Sequence, residues 1–313
     1  MSSVAKNRPL NPRRIAVITM HTFTQLVRMK VFYFLGIFAV ILLASNLFNI
    51  QNLDRPELQG SDTLRSIRSW SLGTMTLFSV VLGVVATALL LPKDIEDRTL
   101  YTILAKPVPR LDYLTGKLFG VLLLLFVSLL VMDLLMSGVL AIRTSFVVEE
   151  RVAGMMADAR YNWSADEIEA VKEQTRNLGV TWNLHGAVFV VFLRAAVVAS
   201  VSLLLSTVSY STLFTTITGL LVYFIGNFQA DARAMYLTSD GTSPLERIAS
   251  MGVATVFPDF QLYNVVDAVI EGLPLKLEKL GPLETLGTLA GLSAFYVVLH
   301  LFVSWLLFAK KEF

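Results

Sequence analysis

The chain has 313 residues, of which 55% are hydrophobic and 16% charged, and its mean hydropathy is +0.64. Soluble domains carry about 25% charged residues, so a soluble enzyme is excluded because these charges could not cover the apolar surplus. The absence of cysteine excludes disulfides and thiolate metal sites, and a net charge of +2 gives no electrostatic footprint for nucleic acid. The composition predicts an all-α integral membrane protein.

The N-terminal segment divides into two parts. Residues 1–12 are polar and contain two prolines, which predicts a disordered cytoplasmic tail. In residues 13–30, apolar side chains such as Ile15, Ile18 and Leu26 interleave with polar ones. This pattern favours either an elbow helix lying in the cytoplasmic interface or a cytoplasmic extension of the first span, and the sequence leaves both open.

Residues 13–313 are predicted to form a single domain with six membrane-spanning helices. Each apolar stretch is long enough to cross about 30 Å of hydrocarbon at about 1.5 Å per residue. A helix is expected in each because it satisfies its backbone hydrogen bonds internally. The six stretches are residues 31–50, 70–91, 118–142, 187–208, 211–228 and 285–309.

The basic residues predict the orientation. If both termini are cytoplasmic, the inner segments hold 13 basic residues against five acidic ones, packed close to the spans. Basic residues concentrate in short cytoplasmic loops, whereas long translocated loops are largely exempt from this rule. We therefore expect an inner (plasma) membrane protein with both termini in the cytoplasm.

The three outer loops differ in character. Residues 51–69 are short and polar, whereas residues 143–185 contain a capping box, Ser164 to Glu167, that predicts a helix closed by Gly179. Residues 229–284 hold the apolar runs 251–257 and 262–270, which are too short to span. We expect these two runs to form helices that dip into or rest on the outer leaflet.

The inner loop between the second and third spans, residues 92–110, is the most informative segment. Pro92 precedes an acidic first turn that includes Asp94, and Lys106 closes the segment just before Pro107. Acidic residues first and a cation last complement the helix dipole, which predicts a helix over residues 94–105 outside the membrane. Its apolar contacts would be Ile95, Leu100, Ile103 and Leu104. Chemistry alone leaves two interpretations open: the helix rests on the lipid surface, or it docks on a soluble partner.

The residues from Glu96 to Arg110, Glu-Asp-Arg-Thr-Leu-Tyr-Thr-Ile-Leu-Ala-Lys-Pro-Val-Pro-Arg, are followed by Thr115-Gly-Lys117. This motif resembles the permeases of type-2 ABC transporters, and most of all the branch associated with multicopper-enzyme maturation. The resemblance implies that residues 94–105 form a coupling helix that receives motion from an ATP-binding partner. On this basis the coupling helix includes Asp94, Glu96, Arg98, Thr99, Leu100, Ile103 and Leu104, and the turn into the third span includes Lys106, Pro107, Arg110, Gly116 and Lys117.

The resemblance also implies the partners. Two permease chains, as a homodimer or as a heterodimer with a close relative, would pair with two copies of a separate ABC ATP-binding subunit. This chain contains no phosphate-binding loop, so ATP and Mg would be bound by that subunit, and we expect no cofactor and no catalysis here.

Asp133 and Arg194 are the only formal charges inside the predicted spans. Both are expected about 14 Å below the outer surface, on consecutive spans, where an unpaired charge is costly. We predict that they form a structural ion pair. The alternative places them in the translocation path, in contact with a polar substrate.

The remaining polar groups favour ordinary packing roles. His300, in the sixth span, is expected to hydrogen-bond to a neighbouring helix. Met132 and Met136 have the helical spacing of packing residues, and we expect no metal site. The sequence thus predicts an ABC exporter permease, or one that transmits force to an extracytoplasmic partner. The alternatives are an ion-driven secondary transporter and a non-transporting membrane anchor of an envelope machine.

Overall fold

A computed structural model of the protein describes residues 10–45, 60–96, 108–157, 162–209, 211–237, 244–277 and 280–309. Within these ranges the fold is all-α, and they contain no β-strand. The helices are α1 (Pro12–Val27), α2 (Lys30–Ser45), α3 (Ser61–Glu96), α4 (Arg110–Ala157), α5 (Ala165–Asn177), α6 (Trp182–Val208), α7 (Thr212–Asn227), α8 (Gln229–Leu237), α9 (Pro244–Val256), α10 (Val266–Ile270) and α11 (Pro282–Ala309), with a 3₁₀ turn at Gln261–Val265.

Helix α6 forms the centre of the bundle. It packs most extensively against α3 and α11, and it also contacts α4 and α7. Buried residues lie on every side of it, and all eight consecutive residues from Ala195 to Ser202 are buried. A helix that is apolar all round is one that other helices surround, which is the position α6 occupies.

The predicted spans agree only in part with the helices. Four described helices, α3, α4, α6 and α11, are long and apolar enough to cross a membrane. A fifth span results if α7 and α8, which meet at a bend of 51°, are taken together. Helix α2 is apolar but has 16 residues, and residues 46–50 of the predicted first span lie outside the described residues. The structure therefore supports a multi-pass helical membrane protein with four to five of the six predicted spans.

Helix α4 extends far beyond the predicted third span. It has 48 residues, or about 72 Å of helix, more than twice the thickness of the hydrocarbon core. The outer loop predicted to begin at residue 143 is thus helical as far as Ala157. Helix α5 packs back on this extension, and just after α5 the chain comes so close that a Cβ on Gly179 would lie 2.7 Å from Thr144 Oγ1.

The segment from Phe260 to Ile270 is partly buried in the protein, with Asn264 and Asp267 exposed. Tyr263, Val266 and Val269 are buried, and α10 contacts both α3 and α6. That residues 262–270 dip into or rest on the outer leaflet stays a prediction. Neighbouring helices supply both an apolar slot and hydrogen-bond donors for the backbone of this segment, as the site below shows.

Helix α1 runs along the first turns of α4. Contacts join Arg14 to Asp112, and the Cβ positions of Gly116 and Gly120 face Ile18 and Thr22. The contacts advance four residues at a time on both helices, so the two run in the same direction. Helix α1 therefore follows the first turns of α4, and both interpretations of residues 13–30 stay predictions.

Candidate functional site

Asp133 and Arg194 bind different partners. Asp133 Oδ2 lies 2.7 Å from Nδ1 of His185, in the first turn of α6. Arg194 Nη2 donates to the carbonyl oxygen of Phe260 at 2.9 Å and also to Asn264 Oδ1. Among the described residues, no ion pair joins Asp133 to Arg194, so the predicted pair is corrected to two separate contacts.

The register between α4 and α6 explains this difference. Phe126, seven residues before Asp133, contacts Phe192, seven residues after His185, with ring centroids 5.7 Å apart. The two helices are therefore antiparallel and keep the same register between these two contacts. Arg194 is nine residues beyond His185, which places it about 14 Å further along α6 than the level of Asp133. The prediction assumed that residues 142 and 187, the outer ends of the third and fourth predicted spans, lie at the same membrane depth. Helices α4 and α6 both continue beyond these residues.

Arg194 holds the segment that follows Pro258. It lies near the middle of α6, and its guanidinium reaches the backbone at Phe260 and the side chain of Asn264 in the 3₁₀ turn. The same segment is anchored elsewhere, because the backbone N–H of Phe260 donates to the carbonyl of Gly226 at 3.1 Å. A Cβ on Gly226 would lie 2.5 Å from the Phe260 ring, so only glycine permits this approach.

A second buried arginine, Arg68 on α3, was not identified from the sequence. It donates to the carbonyl oxygens of Val269 and Asn177, each at 2.9 Å, and to that of Gly179. These carbonyls lie at the C-terminal ends of α10 and α5, where backbone acceptors are left over and a cation is favoured. The sequence analysis placed Arg68 in a loop, but the helical spacing of Leu64, Ile67, Leu72 and Met75 was the signal that α3 starts earlier.

A cavity of about 570 Å³ opens beside Arg194. It lies between α3, α6, α7 and the segment of the 3₁₀ turn and α10, and most of its wall is apolar. Its polar lining residues are Ser69, Thr76, Arg194, Tyr223, Asn264 and Asp267. Pockets of this size and character are typical of sites for small molecules.

At the start of α4, Arg110 joins this helix to the C-terminal end of α11. Its Nη1 donates to the carbonyl oxygens of Phe308 and Ala309, at 2.7 and 2.8 Å. Tyr113, one turn later, stacks on Phe308 with ring centroids 6.2 Å apart, and Lys117 Nζ lies 5.6 Å from the Tyr113 ring centroid. Arg110 thus binds the last carbonyls of α11, where a cation complements the helix dipole.

Arg110, Gly116 and Lys117 were predicted to form the turn into the third span. All three belong to the first turns of α4, which begins at Arg110. Gly116 provides the closest approach to α1, where its carbonyl oxygen accepts from Thr19 Oγ1 at 3.3 Å. A Cβ there would lie 2.7 Å from the Ile18 side chain, so this glycine is required by helix packing.

Asp112 and Arg14 form an ion pair between α4 and α1 that was not predicted. The distance from Arg14 Nε to Asp112 Oδ2 is 2.9 Å, and the side chains are 26% and 1% exposed respectively. A carboxylate buried this deeply requires a partner, because leaving it unpaired is costly. The acid lies in the first turn of α4, where the helix dipole also favours it.

Most of the predicted coupling helix lies outside the described residues. Asp94 and Glu96 fall in the last turn of α3, which continues through Pro92 instead of ending before it. The remaining predicted coupling residues are not described: Arg98, Thr99, Leu100, Ile103, Leu104, Lys106 and Pro107. The described structure does bring the two flanks of this segment, the end of α3 and the start of α4, into one bundle, because α3 packs on α4.

The smaller predictions can be compared directly. His300 Nδ1 lies 2.8 Å from Ser200 Oγ on α6, which confirms that it bonds a neighbouring helix. Met132 and Met136 are buried in the hydrophobic core. Ser164 and Glu167 form the predicted capping box of α5, with both reciprocal hydrogen bonds present. The described part of the chain contains no group of three acidic or histidine side chains placed to hold a metal ion.

Together these features define a multi-pass α-helical membrane protein that carries buried cations and an apolar cavity within its bundle. A family model described as ABC-2 family transporter protein matches residues 16–311, nearly the whole chain. The chain therefore belongs to the ABC-2 transporter family and is a membrane permease component of an ABC transporter. A comparison with curated proteins finds no match.

Proposed function

We propose that this chain is the permease subunit of an ATP-driven exporter. Two permease chains, as a homodimer or with a close relative, would pair with two copies of an ABC ATP-binding subunit that binds ATP and Mg. The family match over residues 16–311 is the observation that carries this proposal. The resemblance of residues 96–117 to type-2 permeases, most of all the multicopper-enzyme-maturation branch, supports it.

The residues proposed to receive the motion of the ATP-binding subunit lie between α3 and α4. Helix α3 ends at Glu96 and α4 begins at Arg110, and both pack on the central helix α6. A push on residues 97–109 would therefore reach α6 through two rigid helices. Packed bundles respond to such a push by switching between discrete arrangements, which is the kind of transition an exporter requires.

The protein is proposed to lie in the inner (plasma) membrane. In the proposed orientation both termini and residues 97–109 are in the cytoplasm. The short basic segments beside the spans support it. The polar helix α5 and the extension of α4 beyond the hydrocarbon core would then lie outside the cytoplasm. That extension provides a surface where force could be transmitted to an extracytoplasmic partner.

The test is to purify the tagged chain from native membranes in mild detergent, identify stoichiometric partners and measure ATP hydrolysis. We expect an ATP-binding chain at about one copy per permease. Recovery should be lost in the double variant Glu96→Ala/Arg98→Ala. The matched control is Glu169→Ala/Lys172→Ala, which removes an exposed acid and a partly exposed base from α5 and should retain the ATP-binding chain.

Two results would overturn the proposal. A chain that purifies alone without nucleotide-dependent activity would favour the ion-driven transporter or the membrane anchor. Equal loss of the ATP-binding chain in both double variants would show that the effect is not specific to residues 96–98.

A further inference from the structure

The cavity beside Arg194 has room for a ligand that the helices do not fill. Its volume, about 570 Å³, falls within the range of about 300–1,000 Å³ typical of small-molecule sites. Leu72, Leu77, Val80 and Leu220 contribute to its apolar wall. Gly73 also lines it, and a Cβ built on Gly73 would meet no atom within 4 Å.

Arg194 is a cation without a carboxylate in contact. The residue is 9% exposed, its Nη2 donates to Phe260 and Asn264, and its Nε has no hydrogen-bond partner. Its hydrogen-bond partners, which also include the Tyr223 side chain, are neutral, and Asp267, whose negative charge attracts it, makes no direct ion pair with it. A buried guanidinium normally pairs with an anion, and its planar fork matches carboxylate and phosphate oxygens.

Asp267 lines the same cavity but is exposed and makes no ion pair with Arg194 within the described chain. It attracts Arg194 without contacting it, which leaves the guanidinium without a directly bound anion. An anion reaching Arg194 would pass or approach this carboxylate, which would weaken binding by like-charge repulsion. Asp267 therefore gives a test of the sign of the ligand's charge.

We propose that this cavity binds an amphiphile whose anionic group, a carboxylate or a phosphate, contacts Arg194 and whose hydrocarbon chain lies along the apolar wall. The anionic amphiphile can be a free carboxylate or a phospholipid of the surrounding bilayer. The proposal needs the chain to be a membrane protein but does not depend on its pairing with an ATP-binding subunit.

The absence of cysteine from the chain allows a direct test. Gly73→Cys places a single thiol in the cavity, and the full-length protein in phosphatidylcholine nanodiscs is labelled with a small thiol reagent. Added oleate should slow labelling in a saturable way, whereas oleyl alcohol should not. Gly138→Cys on α4 is the matched control, because its Cβ also meets no atom within 4 Å but it does not line the cavity.

Charge variants made in the Gly73→Cys protein test the role of Arg194. Arg194→Gln should raise the oleate concentration needed for half protection by about tenfold or more, a difference of about 1.4 kcal/mol. Asp267→Asn should lower that concentration. Replacing phosphatidylcholine with phosphatidylglycerol identifies the source: protection without oleate indicates a bilayer phospholipid, and protection by oleate alone indicates a free carboxylate.

The proposal is overturned by any of four results. These are no labelling of Gly73→Cys in phosphatidylcholine, equal protection by oleyl alcohol, unchanged protection in Arg194→Gln, or weaker protection in Asp267→Asn. If Arg194→Gln fails to fold, the Asp267→Asn variant and the oleyl alcohol comparison still decide the question. Labelling is measured without ATP, so its outcome is independent of the proposed exporter function.

Discussion

His185 Nδ1 lies 2.7 Å from Asp133 Oδ2, so the start of α6 is joined to the middle of α4. The carboxylate is 16% exposed and the imidazole 34% exposed, so the contact is partly protected from solvent. The position of this contact fixes how far α6 is shifted along α4. This shift places Arg194 about 14 Å from the level of Asp133.

The Asp133–His185 contact predicts energetic coupling between these two residues. Asp133→Asn and His185→Gln should each lower the unfolding temperature, and the double variant should lower it by less than the sum. Contacting pairs couple by about 0.5–3 kcal/mol, and partial exposure places this one near the lower end. Asp133→Asn combined with Arg194→Gln should instead be additive, because about 14 Å separates their levels. Coupling between Asp133 and Arg194 of the size expected for His185 would contradict the register.

Gly116 predicts a steric requirement between α1 and α4. Gly116→Ala places a Cβ 2.7 Å from Ile18, so the helices must separate and the protein should lose about 1–3 kcal/mol of stability. Gly138→Ala is the control, since its Cβ meets open space and alanine favours helix by about 1 kcal/mol. Thermal unfolding in detergent measures both. Equal stability of the two variants would show that α1 is not held against α4 at this site.

Arg110 is predicted to have a folding role that is separate from coupling. Arg110→Ala removes two hydrogen bonds to the end of α11 and should destabilise the protein by about 1–2 kcal/mol. The ATP-binding chain should still copurify, unlike with Glu96→Ala/Arg98→Ala. Comparing unfolding temperature with partner recovery separates these effects. Loss of the partner at unchanged stability would place Arg110 in the coupling surface instead.

The capping box of α5 predicts a pH-dependent helix. The backbone N–H of Ser164, and secondarily its hydroxyl, hold the pKa of Glu167 below its usual value. Since the folded-state pKa is depressed, the stabilisation is present above the unfolded-state pKa and is lost as pH falls through the folded-state pKa. The protection factors of the α5 amides, which correct for the slower intrinsic exchange at low pH, should therefore fall at acidic pH in the wild type. Glu167→Gln should reduce this dependence, while α11 should behave alike in both proteins.

Features of individual helices could be predicted where they depend on neighbouring residues alone. Ser164 and Glu167 lie three residues apart, so their capping box needs no distant contact. The end of α3 shows the limit of this approach: Pro92 was taken as a boundary, yet the helix continues to Glu96. Pro92 removes one backbone hydrogen bond near the end of α3. This loss is smaller than the stabilisation that packing gives to the long helix before it.

The partners of the charged residues could not be predicted in the same way. Asp133 and His185 are separated by 51 intervening residues, and Arg68 reaches a carbonyl 201 positions away. Such contacts depend on how far each helix extends past the apolar core. Composition marks where the apolar stretch ends, but α4 continues as a helix well beyond it.

The sequence alone determined that this is a helical membrane protein, where most of its spans lie and which family its motif resembles. These properties follow from residue composition and from spacings of a few residues, which act within one helix. Only the tertiary structure decided that Asp133 meets His185, that Arg194 holds the segment after Pro258, and that α1 follows α4. Each of these depends on the relative level of two helices, which is set by the packing of many side chains at once.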